Sequence, residues 1–198
     1  VLKKFKMVTF REINISDAKL LLDWRTKNRV TKNMNTDIPY DLDEQKIFLE
    51  SSRKKKTYYH WIIRINNIDI GHINFSNWNK KNKTVFWGMY IGEDSALGLG
   101  GMVTPFFYNF CFKYLKVESI FAEVIYFNTK IIDLHLLHGY EFSPKNDRII
   151  LKNGKELLLV SLKLCRSKFL KSKFKNFESH FPLNNWVHSD LVNKRILS

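Results

Sequence analysis

The chain has 198 residues, 44% of them apolar, which suits one domain with a full core and leaves no material for several. Its 33 basic and 19 acidic residues give a net charge of +14, which excludes an acidic disordered segment and predicts an anionic partner. Two cysteines, Cys111 and Cys165, exclude a disulfide scaffold and a cysteine-rich zinc site, and no apolar run approaches the roughly 20 residues of a membrane span.

Residues 8–13 read as a strand. Ser16 and Asp17 then open a helix, Ser16 as its N-cap, with Ala18, Leu21, Leu22 and Arg25 at helical spacing. A second helix opens at Asp41, in a pattern that fits a capping box, and presents Gln45, Phe48 and Leu49 on one side. Three strands follow at 58–65, 68–75 and 84–91, broken by Asn66-Asn67 and by the turn at 79–82; they predict an antiparallel meander. By simple alternation, Ile68, Ile70, His72 and Asn74 share one face of the middle strand and Ile73 and Phe75 the other. An apolar run from Met102 to Leu115 predicts a buried helix that starts near Gly101 and tolerates Pro105 in its first turn. A strand at 119–125 and a short helix at 129–138, capped by Asn128 and stopped by Gly139, come next. Two further strands flank Asn153-Gly154, a two-residue hairpin signal. The order β-α-α-β-β-β-α-β-α-β-β predicts an α/β domain with a mixed sheet.

The segment that carries chemistry is strand, then Gly98-Leu99-Gly100-Gly101, then helix. A glycine turn feeding a helix N-terminus offers several free backbone amides at the positive end of the dipole, a site suited to a pyrophosphate. It is no Walker loop, because no Lys-Ser/Thr follows Gly101, and a poor dinucleotide fingerprint, because a meander precedes it.

The strand order, the position of this loop, and a later Asn-x-Lys-x-x-x-Leu helix ending in Gly-Tyr resemble the GNAT acetyltransferases. The family's loop reads Gln/Arg-x-x-Gly-x-Gly/Ala; here it reads Ser95-Ala96-Leu97-Gly98-Leu99-Gly100, with Ser95 in place of the long polar residue. The resemblance spans residues 7–164. It is closer still to the branch that acetylates a nucleotide-linked amino sugar in the pseudaminic acid pathway. Trp24-Arg25 with Val30 and Met34 resembles Trp-Arg-Asn-x-x-x-Ile-x-x-x-Met of that branch, with Thr26 in the Asn slot. Trp87-Gly88-Met89-Tyr90 resembles its Phe-Gly-Leu-Tyr, and Gln45 stands in a His slot.

This resemblance implies a twisted, mostly antiparallel mixed sheet of about seven strands with four main helices, over residues 1–165. It implies acetyl-CoA as co-substrate, no metal, and direct transfer to the 4-amino group of a UDP-linked amino sugar in a ternary complex. Acyl transfer from a thioester needs a neutral amine, close approach, stabilisation of the oxyanion and a proton for the thiolate. By the resemblance, the backbone of Met89, Tyr90 and Ile91 meets the pantetheine. Leu97, Gly98, Leu99, Gly100, Gly101 and Met102 form the pyrophosphate loop, and Asn128 and Lys130 hold the lower part of the coenzyme. His135 stands where many members have a tyrosine acid and is the expected proton donor. Glu93, just after the fourth strand, is the candidate base acting through a water. On the acceptor side Arg25 meets a phosphate or hydroxyl, Met34 packs on a ring, and Gln45, Ser76 and Asn77 give polar contacts. His72 reads as a satisfied, half-buried strand histidine and Cys111 as core.

A protein N-terminal or lysine acetyltransferase shares the coenzyme half and differs only at the acceptor groove. An RNA-binding module is the other class. The basic groups argue against it, being scattered without an RNP-type or KH motif. Lys, Asn and Ile are also crowded, with 18 Asn, a usage that an AT-rich genome produces whatever the function. No nucleic-acid partner and no stable membrane insertion are expected. A homodimer is left open, and a cytoplasmic location follows from the lack of a leader-like apolar segment. Val1 is an unusual first residue, and Met7 is an alternative start. From Lys163 onward there are eight basic and two acidic residues, 8 minus 2, or +6. The 166–198 extension is expected to dock as an added helix with Phe169, Leu170, Phe174 and Phe177 on one stripe, Trp186 and Leu191 supporting the docking. Its removal is expected to cost a few kcal/mol at most.

Overall fold

The computed structural model describes residues 7–187. In chain order the elements are β1 Val8–Glu12, α1 Ala18–Thr26, α2 Asn28–Thr31, α3 Leu42–Arg53, β2 Tyr59–Ile65, β3 Ile68–Asn79 and β4 Thr84–Ile91. There follow α4 Gly100–Lys113, β5 Ser119–Ile125, α5 Thr129–Leu137, β6 Glu141–Phe142, β7 Arg148–Lys152, β8 Lys155–Cys165 and α6 Arg166–Phe169. The strands form one mixed sheet in the order β1-β2-β3-β4-β5-β8-β6, with β7 also paired to β8. All neighbours are antiparallel except β4 and β5.

Local chemistry accounts for most boundaries. Asp41 caps α3 by accepting the amides of Asp43 and Glu44, both at 2.9 Å. Asn66 and Asn67, then Asn153 and Gly154, have positive φ, as two-residue turns between right-twisted strands require. The first helix starts differently from the expectation. Ser16 lies inside a short 3-10 turn, and Asp17 accepts the Asn14 amide at 2.8 Å while pairing with Arg11. Pro105 sits one turn further into α4 than expected, so the Gly101 carbonyl has no donor four residues on.

Two irregularities shape the sheet. Arg64 pairs with Asp69 and Ile63 with Gly71, so Ile70 is an extra residue, a bulge. The simple alternation read from β3 therefore fails at Ile70, which joins Ile73 and Phe75 in the main core, while His72 and Asn74 face the other way. The second irregularity is that β4 and β5 pair only from Thr84 to Trp87. Beyond that, β4 continues against β3 as far as Ile91, and β5 continues against β8. The two parallel strands thus splay and leave a V-shaped opening.

One face of the sheet is covered by α1 and α3, through Leu21, Trp24, Leu49 and Ile62. The other is covered by α4 and by the segment after α6. That segment docks, but as an irregular strap and not as a helix. Its buried residues Phe181, Leu183 and Trp186 lack helical spacing, and Pro182 has no amide to give, while Phe169 at the end of α6 is buried beside them. Phe181 stacks on Phe10 with centroids 3.8 Å apart, Trp61 Nε1 donates to the Pro182 carbonyl at 2.7 Å, and Trp186 Nε1 donates to the Lys55 carbonyl at 3.0 Å. The strap belongs to the same core as the strands, and Leu191 lies outside the described residues.

Candidate active site

Gly98 has φ +84°, a left-handed conformation that strains any residue with a Cβ, and the space beside it is open. The turn it makes aims the start of α4 at the splay. The Leu99 and Met102 amides are taken by the Ala96 and Leu99 carbonyls, at 3.1 and 3.0 Å. Among the described hydrogen bonds the amides of Gly98, Gly100 and Gly101 have no acceptor. Of the six loop residues expected to hold a pyrophosphate, these three therefore carry the free donors.

The splay opens into a cleft of about 560 Å³, lined by the β4 edge from Phe86 to Ile91, by β5 and by α5. Ser76, Asn77, Asn128 and His135 line it, but Lys130 does not, being exposed on the first turn of α5. Asn128 makes no side-chain cap bond, contrary to the capping role read from its position, so its amide is left to face the cleft. His135 is 5% exposed, with its ring edge-on to Trp87 and 4.8 Å from Tyr140. Its Nδ1 has no hydrogen-bond partner. Burial, with His138 nearby, pushes the imidazole pKa down to about 4. The expectation of an imidazolium donor is corrected by this: near neutral pH the ring is uncharged, and what it offers is the N–H of a neutral imidazole.

A second cavity of about 380 Å³ adjoins the first and shares Met34, Thr36, Asn74, Gly88, Met89 and Tyr90 with it. Arg25, Gln45, Phe48 and Tyr58 also line it. Its floor holds two coupled histidines. His60 Nδ1 lies 3.2 Å from both His72 Nε2 and the Tyr58 hydroxyl, and His60 Nε2 lies 3.1 Å from Ser52 Oγ. Because Ser52 donates to the Leu49 carbonyl at 2.8 Å, its oxygen accepts from His60 Nε2–H, which leaves the single lone pair of His60 Nδ1 facing both His72 Nε2 and the Tyr58 hydroxyl. His72 stacks on Tyr90 with centroids 5.1 Å apart. Burial first, and Arg25 second, push its pKa down to about 3. His72 is half-buried and hydrogen-bonded, as its place on the strand predicts, and its partner His60, twelve residues earlier, follows from the β2–β3 register.

Arg25 is 8% exposed and holds the loop of residues 32–41, donating to the Thr36 carbonyl at 2.5 Å and to Thr31 Oγ1 at 3.2 Å. It shapes the cavity in addition to facing it. Glu93 does not meet the expectation of a base. Its Oε1 accepts from Trp24 Nε1 at 2.6 Å, and it lines neither cavity. Arg29, which the sequence reading missed, donates to the Ile91 and Gly92 carbonyls at 2.7 and 2.5 Å and pairs with Asp94, placing a cation at the end of β4. No periodicity marks it, since α2 is a single turn.

These features fit a coenzyme A thioester: free amides for the pyrophosphate, an unpaired strand edge for the pantetheine, and a buried imidazole nitrogen without a partner. Among the described residues no cluster of three or more His, Cys, Asp or Glu side chains could hold a metal ion, and no helix is long and apolar enough to cross a membrane. Residues 7–141 match the family model of the acetyltransferase (GNAT) domain. Acetyltransferase PseH of Campylobacter jejuni is 25% identical over 167 residues, 84% of this chain and 99% of that protein. Among solved structures, the spermidine N-acetyltransferase from Vibrio cholerae in complex with CoA and spermine has a TM-score of 0.74 at 14% identity, over 82% of this chain and 98% of that one. An uncharacterized protein from Bacillus halodurans has a TM-score of 0.69 at 20% identity, over 86% and 91%. At these identities the structures speak for the fold, while the family match covers well over half the sequence: the chain belongs to the GNAT family and is an acetyl-CoA-dependent N-acetyltransferase.

Proposed function

We propose that the acceptor is the amino group of a nucleotide-linked amino sugar, of the 4-amino, pseudaminic acid pathway type. The observation that carries this reading is the chemistry of the second cavity. Its wall contains Arg25, its floor holds two imidazoles kept neutral, and Phe48, Tyr58 and Tyr90 supply flat faces for a ring. The carboxylates that reach it, the cap Asp41 and Glu44 on the first turn of α3, are exposed and do not lie on the floor. Burial and a nearby guanidinium disfavour a cation. An ammonium entering such a site is driven towards its neutral, nucleophilic form, whereas a polycation finds no buried counter-charge. The likeness to PseH over nearly its whole length supports the same reading.

Acetyl-CoA supplies an activated acetyl group. The chain's part is positioning. Gly98, Gly100 and Gly101 donate backbone N–H groups to the pyrophosphate, with Arg29 adding positive charge nearby. The unpaired edge of β4 at Met89, Tyr90 and Ile91 fixes the pantetheine, with Asn128 as a further polar contact. His135 directs an imidazole N–H at the sulfur. Met34 and Gln45 contact the acceptor ring, while Ser76 and Asn77 lie along the first cleft.

The test is thiol release from acetyl-CoA with a panel of acceptors: a UDP-linked 4-amino sugar, spermidine, and peptides with free N-termini. The sugar nucleotide should give the highest kcat/KM. A higher value with spermidine or a peptide overturns the acceptor assignment.

A further inference from the structure

We propose that Lys152, on the β7–β8 hairpin, is a positioning residue that sets the shape of the acceptor cavity. The inference rests on the reading that the 32–41 loop walls that cavity. Among the described residues Lys152 is one of few buried charged ones, with a side chain 6% exposed. Its ammonium donates to the Thr31 carbonyl at 2.6 Å and the Met34 carbonyl at 2.8 Å, and pairs with Asp37 Oδ1 at 2.8 Å. Three acceptors satisfy the three donors of a lysine, so the group has a defined place and is not merely covered.

The three partners lie on one short stretch that carries Met34 and Thr36, two of the six residues shared by both cavities. The same stretch is held from the opposite side by Arg25, through Thr31 Oγ1 and the Thr36 carbonyl. Thr31 Oγ1 and Asp37 Oδ1 lie 3.2 Å apart and link the two anchors. Residues 32–41 lie between elements, since α2 ends at Thr31 and α3 begins at Leu42, and their other bonds sit at the two ends: Asn33 Nδ2 to the Arg29 carbonyl at 3.0 Å, and the Tyr40 hydroxyl to Asp23 at 2.6 Å. Removing a partner from a buried charged group leaves its acceptors unsatisfied, so loss of the lysine should free the loop. Lys152 follows Leu151 in the last strand pair, and nothing in its spacing relates it to residues some 120 positions earlier. The hairpin thereby reaches across the opening to fix a wall made by the N-terminal part of the chain.

Lys152→Met keeps the aliphatic length and removes the ammonium; Asp37→Asn removes the ion pair and leaves the two carbonyl bonds. Trypsin cleavage after the exposed Lys32 reads loop order without any acceptor present. We expect cleavage at Lys32 to be at least tenfold faster in Lys152→Met and to change less in Asp37→Asn. We expect KM for a UDP-linked 4-amino sugar to rise about tenfold, with kcat and the calorimetric affinity for acetyl-CoA within threefold. Unchanged cleavage in folded Lys152→Met overturns the proposal, as does a loss of acetyl-CoA affinity equal to the rise in acceptor KM. If the wild-type protein rejects the sugar nucleotide, the acceptor reading fails, and the proteolysis still decides whether Lys152 holds the loop.

Discussion

At the scale of single residues, the site is governed by imidazoles that the fold keeps uncharged. Burial holds His135 and His138 at a pKa of about 4 and His72 at about 3, and pushes His60 well below its ordinary value. In the unfolded chain each takes up a proton as pH falls through about 6.5. In the folded chain none does so until the pH is far lower. The unfolded state therefore binds more protons over that interval, so stability is complete above pH 6.5 and is lost as pH falls towards 4. Each histidine contributes a slope of about 1.4 kcal/mol per pH unit there. Urea midpoints measured at pH 7.5 and 5.5 should fall sharply between the two, and equal midpoints would contradict the neutral imidazoles.

The same burial defines what His135 can do. A neutral imidazole gives a hydrogen bond to the sulfur, worth on the order of 1 kcal/mol, so His135→Ala should lower kcat about tenfold with little change in KM. It should also leave the pH–rate profile flat between pH 6.5 and 8.5, because the imidazolium does not form in that range. A limb in kcat that is lost in His135→Ala would show instead that the ring is charged when it acts. The position of His135 was legible, because the spacing to Gly139-Tyr140 fits a family pattern. Its protonation state was not, because that depends on Trp87 and Tyr140 closing around it. Glu93 was misread for a similar reason: its place after β4 is visible in the sequence, but its bond to Trp24, 69 residues earlier, is not.

At the scale of elements, the start of α4 does the most for the cofactor. A Cβ on Gly100 would lie 3.1 Å from Met89 Cε and 3.6 Å from Ile91 Cγ1, and so project between α4 and the open edge of β4. Gly100→Val should therefore weaken acetyl-CoA by about 2 kcal/mol, roughly 30-fold, through lost charge-assisted bonds, while the fold persists. Calorimetric titration with acetyl-CoA checks this, and an unchanged affinity in the folded variant removes the loop from the binding site. Glycine turns, asparagine hairpins and the Asp41 cap were readable because each is a local rule. The Ile70 bulge and the two-residue β6 were not, because both are decided by the neighbouring strand. The splay lies in between: no residue announces it, and only the likeness to a family led to the expectation that the backbone of Met89, Tyr90 and Ile91 is open to the pantetheine.

At the scale of the whole molecule, the strap after α6 changes what a domain boundary means here. The extension expected to begin at residue 166 supplies four buried side chains, Phe169, Phe181, Leu183 and Trp186, to the core. At about 1.5–3 kcal/mol for each buried apolar side chain, their loss would amount to roughly 6–12 kcal/mol. That rivals the entire 5–15 kcal/mol stability typical of a domain. Truncation after Arg166 should therefore prevent folding, seen as loss of the cooperative thermal transition, and not merely trim stability as the sequence suggested. A truncated chain that still melts cooperatively and binds acetyl-CoA would show the strap to be an accessory. The docking itself was legible from Phe169 and Trp186; its extent was not, because Phe181 and Leu183 lie beyond the lysine run and off the expected helical stripe.

The strap also fixes an order of events during synthesis. Ser179 Oγ donates to the Val8 carbonyl, and the Asn185 amide donates to Glu12 at 2.8 Å, so β1 is completed by residues more than 170 positions later. Loop closure over such distances is slow compared with forming a helix or hairpin. A ribosome must translate past Trp186 before Trp61 and Phe75, which α4 covers in part, are fully enclosed. Until then the nascent chain displays an aromatic sheet face, the kind of surface that chaperones bind and that aggregates when crowded.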